Sequence, residues 1–115
     1  MGKQYFIYIM TNIVNTVLYT GVTSDLIRRA GQHKEGTVPG FASRYNTVKL
    51  IYYECTCEAL SAIAREKKIK KMYRKQKEDL INSFNPGWRD LYYDLTDSGD
   101  SRGCNRENDN EKGSA

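Results

Sequence analysis

The chain has 115 residues, 39% of them hydrophobic, enough for one modest core and not for two. No apolar run approaches the roughly 18 residues of a membrane span, and Lys3 leads at once into a β-prone segment with no signal-peptide layout, so a soluble, cytoplasmic protein with no membrane partner is expected. The charge is uneven: residues 1–95 carry 15 Lys and Arg against 9 Asp and Glu, residues 96–115 carry 3 against 5, and such a basic body points to a polyanionic partner. Cys55, Cys57 and Cys104 are an odd count with one distant histidine, which argues against a zinc site and fits a reducing compartment better than a disulfide framework.

Tyr5 to Met10 reads as a strand of aromatic and β-branched residues, and Val17 to Val22 as a second. The stretch between them has asparagines at both ends and predicts a hairpin; a register symmetric about Ile13-Val14 sets Tyr8 directly opposite Tyr19 on one face. Thr23, Ser24 or Asp25 caps a helix from about Leu26 to Lys34, with Gly36 as its stop. Residues 36–46 are loop-like, with one helical turn around Ala42 to Tyr45, and Val48 to Cys55 is a third strand. From Thr56, taken as a cap, Leu60, Ile63, Ala64, Ile69, Met72 and Tyr73 recur at helical spacing, and a second helical stretch with Leu80, Ile81 and Phe84 stops at Asn85-Pro86-Gly87. Trp88, Leu91, Tyr92 and Tyr93 form a closing apolar clasp. Beyond Leu95 there is no Leu, Ile, Val or aromatic residue, so 96–115 reads as a disordered acidic tail behind a single domain at 1–95. The expected architecture is α+β, a small antiparallel three-stranded sheet flanked by helices in the order β-β-α-β-α-α.

Several side chains carry chemistry, and each has a bland reading beside it. Tyr8 and Tyr19 are either cross-strand packing, in a chain with nine tyrosines, or a phenol pair at a reacting phosphate. Arg29 and His33, spaced i, i+4, share a helix face that is either a solvated flank or a phosphate clamp. Glu66 lies on the face expected to turn towards the sheet, where it pairs with Lys70 or Lys67, or holds a hard divalent cation. Around it Arg65, Lys67, Lys68, Lys70, Lys71, Arg74, Lys75 and Lys77 put eight positive charges in thirteen residues, dense enough to follow a phosphate backbone.

Phe6-Ile7-Tyr8 and Tyr19-Thr20-Gly21, followed by Arg29, His33 and Glu66 in that order, resemble the GIY-YIG nuclease family over about residues 4–93, and most closely its small stand-alone bacterial members. Phe6 stands where the family name has its first glycine and Thr20 where it has its second isoleucine; both tyrosines and Gly21 are intact. The resemblance implies an endonuclease that hydrolyses phosphodiester bonds in DNA with Mg²⁺ or Mn²⁺ and no small organic cofactor, structure-selective or weakly sequence-specific, with a place in DNA repair. It implies Tyr8, Tyr19, Arg29, His33 and Glu66 as catalytic residues and Glu66 as the metal ligand. Lys67, Lys68, Lys70, Lys71, Arg74, Lys75 and Asn85 are the expected nucleic-acid contacts. The rival function is a non-catalytic nucleic-acid adaptor on the same fold.

Overall fold

Asn12 sets the geometry on which the hairpin depends. In a computed structural model describing residues 3–97, its side-chain carbonyl accepts from the backbone N–H groups of Thr16 (2.8 Å) and Val17 (3.1 Å), its amide donates to Thr16 Oγ1 (2.8 Å), and its backbone carbonyl accepts from Asn15 N (3.0 Å). Asn15 completes the turn in the left-handed region, φ 60°. The turn joins β1 (Tyr5–Thr11) to β2 (Leu18–Thr23), and it corrects the expected register: Tyr8 pairs with Gly21, and Tyr19 pairs with Met10. Side chains alternate along a strand, so the two-residue shift keeps both tyrosines on one face but makes them diagonal neighbours.

The pairing of Tyr8 with Gly21 explains that glycine. A Cβ at position 21 would stand 2.6 Å from the Tyr8 hydroxyl oxygen and 2.7 Å from its Cζ, so the Tyr8 ring lies over Gly21 in space that no other residue leaves open.

α1 (Leu26–Glu35) starts at Asp25, whose side chain accepts from Arg28 N at 3.2 Å, and ends at Gly36 with φ 76°. Leu26, Ala30 and His33 form its buried stripe. A short α2 (Phe41–Arg44) leads into β3 (Lys49–Thr56), which pairs with β1 and completes the antiparallel order β2-β1-β3. α3 (Ala59–Lys70), α4 (Arg74–Phe84) and α5 (Tyr92–Asp97) follow. The fold is the expected three-stranded α+β arrangement with two short helices added. α5 is helical where the sequence suggested only a clasp, and it runs through the boundary expected at residue 95. The acidic tail beyond it lies outside the described residues.

The sheet separates two apolar clusters. Phe6, Tyr8, Met10, Leu26, Ala30, Leu50, Leu91 and Leu95 gather on the side of α1 and α5. Ile7, Ile9, Ile51, Tyr52, Ala62, Ile69 and Ile81 gather on the side of α3 and α4. A bulge makes this division possible: Ile9 pairs with Tyr52 and Met10 with Leu50, so Ile51 is the extra residue and turns into the same cluster as its neighbour Tyr52.

The inward face of α3 is Ala62, Glu66 and Ile69. Leu60, Ile63 and Tyr73, expected to face the sheet, are exposed at 82%, 40% and 81%. Thr56 is not the cap; Glu58 occupies that position, and Thr56 Oγ1 accepts from Glu58 N (3.3 Å) in a turn that delays the helix to Ala59. Cys57 is exposed and free. Among the described residues no helix is long and apolar enough to cross a membrane.

Gly21→Ala is expected to destabilise the fold by about 1–3 kcal/mol, because the buried Tyr8 ring must leave its place to admit the methyl group. Thermal melting checks this; an unchanged midpoint would mean that the ring moves at no cost.

Candidate active site

β1, β2 and α1 bring three rings together. Tyr8 and Tyr19 have centroids 6.2 Å apart, and His33 stands 5.6 Å from Tyr8 and 5.1 Å from Tyr19. Tyr8 is 1% exposed and His33 3%, so this is an interior polar cluster with Tyr19 on its half-buried side.

The hydrogen bonds of the cluster run in one direction. Thr47 has one hydroxyl proton and donates it to Ala42 O at 3.2 Å, so its oxygen accepts from His33 Nδ1 at 3.2 Å. That fixes the proton on Nδ1 and leaves a lone pair on Nε2, which accepts the Tyr8 hydroxyl at 3.2 Å. Burial, with the Arg29 charge second, depresses the His33 pKa to about 4, against a hydrogen bond to the Thr47 backbone that acts the other way. His33 is thus a neutral acceptor near pH 7. Burial also holds the Tyr8 phenol well above its usual range, helped by Tyr19 and slightly by Glu66, while Arg29 opposes the shift.

Arg29 lies one turn before His33 on α1, and its Nε is buried with no hydrogen-bond partner. A guanidinium that donates nothing from a buried nitrogen is an incomplete arrangement within the protein alone. An oxyanion beside Tyr8 and Tyr19 would complete it.

Glu66 lies on α3, which packs on the opposite face of the sheet, and its charge acts on Tyr8. Its side chain is 12% exposed and its carboxylate pairs with Lys70 Nζ at 2.6 Å, the helical pair that was one of the two sequence readings. Among the described residues no group of three or more His, Cys, Asp and Glu can hold a metal ion. One carboxylate that faces inward fits Mg²⁺ or Mn²⁺ completed by water and phosphate oxygens, and does not fit a cation that needs an all-protein cage.

The basic run divides. Lys67, Lys68, Lys71 and Lys75 are exposed, as is Lys70 apart from its bond to Glu66. Arg65 is spent on a bidentate pair with Glu54. Arg74 donates to Asn15 O (2.8 Å), Thr16 O (3.0 Å) and Glu78 (2.8 Å), so it braces the hairpin turn and is not a free nucleic-acid contact. Asn85 is corrected in the same way. It is 4% exposed, and its amide donates to Ile51 O (3.0 Å) and Arg89 O (2.9 Å), satisfying the bulged strand. Thr47 was missed altogether, since it falls between the loop expected at 36–46 and the strand expected from Val48, fourteen residues from the histidine it orients.

The family model described as the GIY-YIG catalytic domain matches residues 4–79. The chain belongs to the GIY-YIG family. It is similar to the UPF0213 protein of Haloquadratum walsbyi, 31% identical over 80 residues that cover 70% of this chain and 89% of that protein. It is also similar to the UPF0213 protein of Clostridium perfringens, 39% identical over 66 residues that cover 57% and 71%. The solution NMR structure of a UPF0213 protein from Bacillus halodurans shares the fold with a TM-score of 0.50 at 21% identity, over 78% of this chain and 95% of that one. The UPF0213 proteins that it resembles are a small, stand-alone GIY-YIG family. Membership implies a nuclease-type function and suggests a nucleic-acid substrate.

The buried His33 makes stability depend on pH with a definite sign. Its folded pKa lies below the unfolded value of 6.5, so the unfolded chain binds the extra proton and the stability present above pH 6.5 is lost progressively as pH falls towards about 4. The loss is on the order of 3 kcal/mol at most. Urea unfolding between pH 7 and 5 is expected to show this slope in the wild type and not in His33→Gln; equal slopes would contradict the burial of a neutral imidazole.

Proposed function

We propose that the protein is a divalent-metal-dependent endonuclease that hydrolyses phosphodiester bonds in DNA, structure-selective or weakly sequence-specific. The observation that carries this reading is the directed chain from Tyr8 through His33 to Thr47, which ends beside the incomplete hydrogen bonding of Arg29. Cross-strand packing alone accounts for two tyrosine rings. It does not account for an imidazole oriented to accept from one of them.

In this mechanism Arg29 binds the scissile phosphate and offsets the charge that builds on its equatorial oxygens. Tyr8 takes a proton from the attacking water as its own proton passes to His33 Nε2. Binding of the phosphate to Arg29 helps that transfer, because the Arg29 charge is one of the two causes that depress His33. Tyr19, on the open side of the cluster, orients the water or the phosphate. Glu66 would hold the Mg²⁺ or Mn²⁺, which supplies Lewis-acid stabilisation of the phosphate and the leaving oxygen. The exposed Lys67, Lys68, Lys71 and Lys75 would follow the backbone without reading bases, which is the reason for expecting weak sequence preference.

One observation favours the adaptor reading. The Glu66 carboxylate is already paired with Lys70, as it would be in a protein that binds nucleic acid without cutting it. Nicking of supercoiled plasmid decides between the two. The nuclease reading expects Mg²⁺-dependent nicking abolished by chelator, and a loss of about 10²–10⁴-fold in Tyr8→Phe with the fold retained. Glu66→Gln is expected to lose activity and metal response together. DNA binding with no nicking under any divalent cation would establish the adaptor.

A further inference from the structure

The open edge of the sheet is β2, and a cavity of ≈ 260 Å³ lies against it, lined by Leu18, Tyr19, Thr20, Lys70 and Lys77. Three features of its wall are unexplained by the site above. Thr20 is 4% exposed and its hydroxyl is buried without a hydrogen-bond partner, a cost the fold carries for no internal return. Lys77 is half-buried and makes no ion pair with a described residue, although the other half-buried base on the same helix pair, Arg65, is fully matched by Glu54. Lys70 is tethered only to Glu66, and the two lysines crowd each other together with Arg74.

Two lysines and a threonine with an unsatisfied hydroxyl line a hollow of ≈ 260 Å³, a donor set that suits an anion. Burial and the charges of Arg74 and Lys70 hold the Lys77 pKa below its ordinary value, a strain that a bound anion would relieve. Tyr19 belongs both to this cavity and to the ring cluster, so an anion here stands next to the place proposed for the scissile phosphate.

We propose that the cavity formed by Thr20, Lys70 and Lys77 at the β2 edge is a second phosphate subsite, which takes a backbone phosphate neighbouring the one that is cleaved, and that Lys70 exchanges between Glu66 and this phosphate. The neighbouring-phosphate assignment rests on the nuclease reading; the anion site itself does not. The exchange couples two events. Lys70 would leave Glu66 if that carboxylate held a divalent cation, and its freed ammonium would then complete the subsite, so that cation and phosphate would each favour binding of the other.

The test uses the full chain, with inorganic phosphate as the probe and binding as the readout. Amide NMR titration is expected to shift Thr20, Lys70 and Lys77 together. Lys77→Met should weaken phosphate binding by about tenfold or more. Arg44→Met, which removes one positive charge from an exposed position outside the basic run, should weaken it less than about twofold. Thr20→Val checks the hydroxyl without relying on a damaged fold: it should melt no lower than wild type without phosphate, and should gain less in melting temperature when phosphate is added. Mg²⁺ should tighten phosphate binding in the wild type and not in Lys70→Met.

Equal losses in Arg44→Met and Lys77→Met, or shifts spread along the exposed lysines with Thr20 silent, would overturn the subsite. Absence of Mg²⁺ coupling in the wild type would overturn the Lys70 exchange. A protein that never nicks DNA but binds phosphate at Thr20 and Lys77 would retain the subsite and lose the nuclease reading, so the two failures are distinguishable.

Discussion

The contact between the Tyr8 ring and Gly21 is the constraint that the rest of the site requires. Tyr8 can lie flat across β2 only where the opposing residue has no Cβ, and only in that position does its hydroxyl reach His33 on α1. The Asn12 turn sets which residue of β2 stands opposite Tyr8, and therefore decides whether the glycine or a bulky neighbour meets the ring. A surface turn and an interior hydrogen bond are thus parts of one device. Local backbone chemistry at residues 12–16 is translated by strand register into side-chain geometry at the centre of the sheet.

The two sides of the sheet contribute different chemistry. The α1 side supplies neutral, oriented groups whose burial keeps Tyr8 and His33 uncharged, and one guanidinium with a vacant donor. The α3 and α4 side supplies charge: the Glu66–Lys70 pair, exposed lysines and the cavity at the β2 edge. Segments 85–91 tie these layers at the opposite edge. Asn85 satisfies the bulged Ile51 carbonyl, Leu91 N donates to Leu50 O (2.7 Å), and Asp90 accepts from Leu50 N (3.2 Å) while pairing with Lys34 of α1. The β3 edge is therefore covered.

Much of the site was legible because its residues sit in regular elements with strong periodicity. Arg29 and His33 share a helix face by spacing alone, and the two tyrosines fall on one strand face under either register. What was not legible depended on tertiary choices. The register turned on side-chain hydrogen bonds of Asn12, which propensity does not encode. The buried stripe of α3 followed Ala62 and Ile69 because the sheet accepts a small residue at close approach, so the larger Leu60 and Ile63 were left outside. Thr47, Thr20 and the tertiary duties of Arg74 and Asn85 have no sequence signal, since each is defined by a partner distant in the chain. Charge density around Glu66 pointed to a phosphate groove but did not separate the arginines used for folding from the lysines left exposed.

The central claim is that His33 is a buried, neutral imidazole whose Nε2 accepts from Tyr8. Long-range ¹H–¹⁵N NMR of the histidine ring measures this directly, because chemical shifts of the two nitrogens report both tautomer and charge, and the chain has a single histidine. The account predicts the Nδ1–H tautomer at neutral pH, with protonation only near about 4. An Nε2–H tautomer, or an imidazolium at pH 6 to 7, would contradict it.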